Sequence, residues 1–182
     1  MIMIMSEVFD DLFADATVRD FAAGETLFRA GDRVVSMMLL RDGRADLVRH
    51  TGDGLRLILH RAGAGQILAE ASAWSGVYHC DAVASAACVV AILPRQIFRA
   101  RLTADPDLAE RWMQTLARSV QAARVRAEIR SLPKVADRLD AWLCERQVLP
   151  DKGRWQDVAA ELGVSREALY RELARRRTKA RG

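Results

Sequence analysis

An α+β architecture is predicted: an N-terminal antiparallel β-roll of jelly-roll type, a long helix, and a C-terminal helix-turn-helix. Three observations predict it. Closely spaced glycines cut Phe21 to Leu93 into short apolar runs. Asp105-Pro106 opens a stretch without a helix breaker before Pro133. Gln156 to Arg171 then reads as two short amphipathic helices on either side of Gly163.

Residues 6–14 are expected to form a short helix with Val8, Phe9, Leu12 and Phe13 on one side. Between Gly24, Gly31, Gly43, Gly52, Gly54, Gly63, Gly65 and Gly76 lie runs such as Met37-Met38-Leu39-Leu40 and Leu55-Arg56-Leu57-Ile58-Leu59. With Cys88 to Leu93 they predict short strands, and Thr51-Gly52-Asp53-Gly54 predicts a hairpin turn. Many short, regularly spaced strands point to an antiparallel sandwich or barrel. Pro94 is expected to start a short helix through Phe98.

Asp105 is a good N-cap and Pro106 suits the first helical position. Leu108/Ala109, Trp112, Leu116, Ser119/Val120 and Ala123 recur at alternating spacings of three and four, a narrow stripe like a coiled-coil seam. A helix of about 25 residues extends roughly 37 Å, more than a small domain covers. The stripe is therefore expected to hold a homodimer; packing on its own sheet domain is the other reading, and the two are compatible. Val135, Leu139, Trp142 and Leu143 predict a further amphipathic helix, and Pro150 to Gly153 a turn.

In the last segment Val158, Ala159 and Leu162 form a buried stripe, Gly163 ends the first helix, and Ser165 caps the second. Ala168, Leu169 and Leu173 face inward, while Arg166, Glu167, Tyr170 and Arg171 face outward. Arginine clasps guanine O6 and N7, and glutamate accepts from cytosine N4, so this is the pattern of a major-groove reader.

Of 182 residues, 51% are apolar and 29% charged, as in a folded globular protein. The formal charge of +4 is concentrated: Pro150 to Gly182 holds nine Lys/Arg against five Asp/Glu. A basic C-terminus suits a polyanion, nucleic acid first. Met1 to Met5 is too short and lacks the basic lead of a signal peptide, and Ala82 to Leu93 falls short of a membrane span. The odd count of Cys80, Cys88 and Cys144 argues against a disulfide framework, so a reduced, cytoplasmic setting is expected.

The chain resembles the cyclic-AMP receptor/fumarate–nitrate regulator (Crp/Fnr) family of bacterial transcription factors. The residues that carry the resemblance are Gly24-Glu25-Thr26-Leu27-Phe28 with Gly31-Asp32, Leu39-Leu40 with Gly43, Ala69-Glu70-Ala71-Ser72, Ala91-Ile92-Leu93-Pro94 with Phe98, and Ser165-Arg166-Glu167 with Arg171. It implies a cyclic-nucleotide-binding-like sensor domain over 1–104, a dimerisation helix and hinge over 105–132, and a DNA-binding domain over 133–182. It also implies that Arg166, Glu167 and Arg171 read bases while Gln156 and Ser165 position phosphates, with Tyr170 on the same face. Such proteins usually carry a β-hairpin wing after the reading helix; here a basic tail, Arg175 to Gly182, is expected in its place.

The effector pocket implied by the resemblance comprises Ala69, Glu70, Ala71, Ser72, His79, Cys80 and Asp81. A cyclic nucleotide needs a glutamate for the ribose hydroxyl, which Glu70 matches, and an arginine-serine pair for the phosphate, where this chain has Cys80-Asp81. An aspartate repels a phosphate and cysteine brings no cation, so cyclic AMP is not the expected effector; another small molecule, or none, is left open. No cysteine precedes Cys80, which argues against an iron–sulfur cluster, and adjacent His79-Cys80 cannot readily share one haem iron. Cys80 and Cys88 are read as buried and inert in preference to a redox switch. His50 and His60 are read as structural. No nucleophile elbow, phosphate loop or zinc motif is present, so no catalytic or metal residues are assigned. The expected function is a homodimeric regulator that contacts double-stranded promoter DNA and RNA polymerase. The competing expectation is a ligand-sensing module whose helical C-terminus docks a protein, its DNA binding degenerate.

Overall fold

The computed structural model describes residues 9–146 and 148–179. The first residues of the expected N-terminal helix, and residues 180–182 of the basic C-terminus, lie outside them. Within them Asp11–Phe13 forms a single 3-10 turn that buries Leu12 and Phe13.

Eight strands follow: β1 (Thr17–Phe21), β2 (Thr26–Phe28), β3 (Ser36–Asp42), β4 (Arg44–His50), β5 (Arg56–Gly63), β6 (Ile67–Leu68), β7 (Asp81–Ala84) and β8 (Cys88–Pro94). They make two four-stranded sheets, ordered β1-β8-β3-β6 and β2-β7-β4-β5. The pairing of β8 with both β1 and β3 is antiparallel, with Met37 opposite Leu93 and Leu39 opposite Ala91. The runs with the weakest apolar–polar alternation lie in β3 and β8, where Leu39, Leu40, Val90 and Ala91 are all fully buried. Together these strands form the antiparallel, jelly-roll-like domain expected.

The turn between β3 and β4 shows why glycine stands at 43. Its φ is +81°, and a Cβ there would lie 2.1 Å from the Ala87 carbonyl oxygen. Thr51 to Leu55 closes the next hairpin, with the Thr51 N–H donating to the Leu55 carbonyl at 2.9 Å.

The helices are α1 (Arg95–Ala104), α2 (Pro106–Ser131), α3 (Val135–Arg146), α4 (Trp155–Leu162) and α5 (Arg166–Lys179). Helix α1 runs two turns past Phe98. Its extension buries Leu102, and Arg101 donates to the Leu12 carbonyl at 2.7 Å and to Asp15 at 2.5 Å. Asp105 caps α2 by accepting from the Leu108 N–H at 2.9 Å. The basic tail expected from Arg175 onward is helical as far as Lys179, because Leu173 and Glu172 are buried and hold that turn.

The described residues form two compact units. One comprises residues up to Val48 with His60–Val120; the other comprises Arg49–Leu59 with the residues from Gln121 onward. The core of the second unit gathers Ile129, Leu139, Trp142, Trp155, Val158, Leu162, Leu169 and Leu173.

Candidate functional site

Helix α4 carries two carboxylates and no Lys or Arg, whereas α5 carries six Lys/Arg against two glutamates. Val158, Ala159 and Leu162 are buried, as the stripe required, and pack in one core with Leu169 and Leu173. Gly163 takes the left-handed conformation (φ 65°, ψ 42°), and the Val164 N–H returns to the Ala159 carbonyl at 3.0 Å. Ser165 Oγ accepts from the Ala168 N–H at 3.2 Å, which caps α5.

Gln156, Ser165, Arg166, Glu167 and Arg171 are all exposed. Tyr170 is half-buried. Its ring stands edge-on to Trp155 with centroids 5.3 Å apart, and the Arg166 guanidinium lies 5.2 Å above it. Arg166 and Tyr170 are thus brought together, and Tyr170 serves the packing of the helix pair as much as its outer face.

Several residues here escaped the sequence reading. The last carbonyls of α4 have no helical partner. Arg130 Nε donates to Glu161 O at 2.9 Å, and Arg138 Nη1 donates to Leu162 O and Gly163 O at 3.2 Å each. Two guanidinium groups therefore satisfy the negative end of the helix dipole. Arg130 also donates to the Ile58 carbonyl. Burial, above all, draws its pKa below the ordinary arginine value. Nothing in local spacing marks Arg130 or Arg138, since their acceptors are far along the chain. The four-residue spacing of Glu172 and Arg176 was a usable signal: Arg176 Nε donates to Glu172 Oε1 at 2.7 Å.

In the sheet unit, Glu70–Trp74 is a 3-10 turn entered through Ala69 at φ 48°, ψ 49°. Among the described residues Ala69 is the one non-glycine with positive φ. Glu70 is half-buried and Ala71 exposed, whereas Ser72 is buried and its Oγ has no hydrogen-bond partner among the described residues. His79 is exposed, Cys80 is 1% exposed, and Asp81 accepts from the Ala30 N–H at 2.8 Å. Next to them Tyr78 stacks on Phe28 at 3.8 Å and donates to the Ser36 carbonyl, its hydroxyl pushed up to about 12 by burial. Cys88 is also buried, which raises its thiol pKa and suppresses thiolate chemistry. The buried Asp46 pairs with the half-buried Arg61 at 3.4 Å, an ion pair that the sequence did not reveal.

The stripe on α2 divides. Trp112 is 3% exposed and sits edge-on to Phe98 (5.1 Å) and Phe9 (5.9 Å) within its own unit. Ala109, Leu116 and Ser119 are half-buried, while Val120 is 50% exposed and Ala123 is exposed. Trp74, Leu102, Ala109, Trp112, Met113 and Leu116 line an apolar groove of about 340 Å³. Among the described residues no group of three or more His, Cys, Asp or Glu is placed to hold a metal ion, and no helix is long and apolar enough to cross a membrane.

Residues 18–105 match the cyclic nucleotide-binding domain family. Similar solved structures include the c-di-GMP-responsive global regulator CLP of Xanthomonas campestris, 19% identical over 95% of this chain and 92% of that one, with a TM-score of 0.81. FixK2 from Bradyrhizobium japonicum is 18% identical over 91% and 86%, with a TM-score of 0.74. A CRP-family transcriptional regulator from Thermus thermophilus is 19% identical over 89% and 85%, with a TM-score of 0.71. At these identities the likeness is one of fold. No curated protein sequence matches.

Proposed function

From the premise that this chain carries a cyclic nucleotide-binding domain over residues 18–105 and shares the fold of Crp/Fnr-family transcriptional regulators, we propose that it is a homodimeric, sequence-specific DNA-binding regulator. Helices α4 and α5 are read as a helix-turn-helix whose second helix enters the major groove. The observation that carries this reading is the outward set Arg166, Glu167 and Arg171 on a helix whose opposite side, Leu169 and Leu173, is buried. Arg166 and Arg171 take guanine edges, Glu167 takes cytosine, and Gln156 and Ser165 position the phosphates. Residues 105–132 supply the dimer helix and hinge, and Ala69 to Ser72 with His79 to Asp81 the effector pocket. Cyclic AMP is not its effector, because Cys80 faces inward and the Asp81 carboxylate is already bonded to Ala30.

Selection of bound fragments from genomic DNA tests the reading. A single preferred sequence is expected, and Arg166→Ala or Arg171→Ala should cost about 1–3 kcal/mol and relax preference at one position per half-site. If both substitutions leave affinity and preference unchanged, α5 is not the reader.

A further inference from the structure

The hairpin between β4 and β5 supplies a segment, Arg49–Leu59, to the helical unit, while both strands run on into the sheet unit. Three contacts within the helical unit hold that segment against α4. Arg56 lies 3.9 Å from Asp157. The Leu57 side chain reaches the turn before α5: a methyl group placed on Gly163 would meet Leu57 Cδ2 at 3.6 Å and Arg130 Cδ at 3.7 Å. Arg130 joins the two pieces, donating through Nε to Glu161 O at the end of α4 and through Nη2 to Ile58 O in β5.

A guanidinium group is suited to this role. Its donors lie in one rigid plane, so two carbonyls bonded to it are fixed relative to each other, which a lysine ammonium on a flexible stem does not achieve. Glu161 O is a helix-terminal carbonyl two residues before Gly163, and α5 begins three residues after that glycine. Any shift of β5 is thus delivered to the turn that aims Arg166, Glu167 and Arg171.

We propose that Arg130 is a positioning residue for DNA reading, through which the β4–β5 hairpin sets the turn between α4 and α5. The proposal rests on the reading of α5 given above. Arg130 thereby acts on reading through Ile58 and Glu161.

The test compares the unmodified full chain with Arg130→Met, Arg130→Lys and Leu57→Ala. One measurement is amide hydrogen exchange at Val164 and Leu169; the other is affinity for the selected fragment and for a scrambled duplex of equal length. Arg130→Met and Leu57→Ala are expected to speed exchange at Val164 by about tenfold. Both should weaken the selected fragment by about tenfold with little change on the scrambled duplex, because aim and not charge is lost. Arg130→Lys should keep the scrambled-duplex affinity yet fail to restore preference. Equal losses on both duplexes would make Arg130 a phosphate contact and overturn the proposal, as would unchanged exchange at Val164 in the Leu57→Ala chain. Unmodified protein that prefers no sequence sinks the DNA reading itself, and Arg130's role with it.

Discussion

Arg176 of α5 donates to the Asp140 carboxylate of α3 across 2.6 Å. The same guanidinium donates to the Ala136 carbonyl at 3.0 Å, so it clamps α5 onto α3 at two points, and its bond to Glu172 at 2.7 Å, one turn back in α5, holds it in place. In a run of three arginines it is the one least free to meet a phosphate. Arg176→Ala should lower stability by about 1 kcal/mol, allowing for partial exposure. Chemical denaturation measures this, and an unchanged midpoint would show the clamp to be energetically idle.

Glu172 makes the same cluster sensitive to acid. Its carboxyl is held from an ordinary 4.5 down to about 2, chiefly by the Arg175 hydrogen bond, with burial opposing and Arg176 assisting. A depressed folded value means that the stabilisation is complete above about pH 4.5 and is lost as the pH falls toward 2. The stability gap between the unmodified chain and Glu172→Gln should therefore be constant at neutral pH and close across that window. Urea titrations at several pH values decide it; a gap that persists at pH 2 contradicts the assignment.

Ala69 holds a left-handed conformation that costs an L-residue about 1–2 kcal/mol. Glycine relieves that strain but loses roughly 0.5–1 kcal/mol in chain entropy. Ala69→Gly should thus raise stability by about 0.5–1 kcal/mol, read as an increase in melting temperature. A fall would mean that the Ala69 methyl, which is buried, contributes more packing than its backbone costs.

Cyclic AMP and cyclic GMP should fail to bind at micromolar concentration. Missing a charge-assisted phosphate partner removes about 1.5–3 kcal/mol, or roughly ten- to a hundred-fold in affinity. Titration calorimetry is the measurement, and micromolar binding would reveal that a basic residue elsewhere in the chain reaches the phosphate.

Sedimentation at micromolar concentration should give a dimer. Val120 is half exposed, so Val120→Glu leaves the fold of the protomer intact while placing a charge in the seam, and should give a monomer. Unmodified chain that sediments as a monomer removes the seam argument.

The two strongest local readings came from residues that act on near neighbours. Asp105 caps α2 three residues on, Gly163 stops α4, and Ser165 caps α5. Spacing alone therefore located the helix pair and its outward arginines. The glycine-punctuated runs located β3, β5 and β8, though not the order of strands in the two sheets, since β8 between β1 and β3 is a pairing of distant segments.

Tertiary structure decided what each side chain does where its partner lies far along the chain. Trp112 belongs by spacing to a stripe that could meet a partner helix or its own sheet domain, and Phe9 and Phe98 draw it into its own unit. Asp81 is placed in the pocket by resemblance, and the fold adds a partner far along the chain, the Ala30 N–H, which bonds one of its oxygens. Arg175 to Gly182 reads as a basic tail, and Glu172 and Asp140 hold its described part in α5 as far as Lys179. Periodicity and capping are fixed by residues within a turn of one another, and a sequence states them directly. Ion pairs and carbonyl clamps such as Arg130 between Ile58 and Glu161 depend on which distant backbone arrives beside them, and only the folded chain settles that.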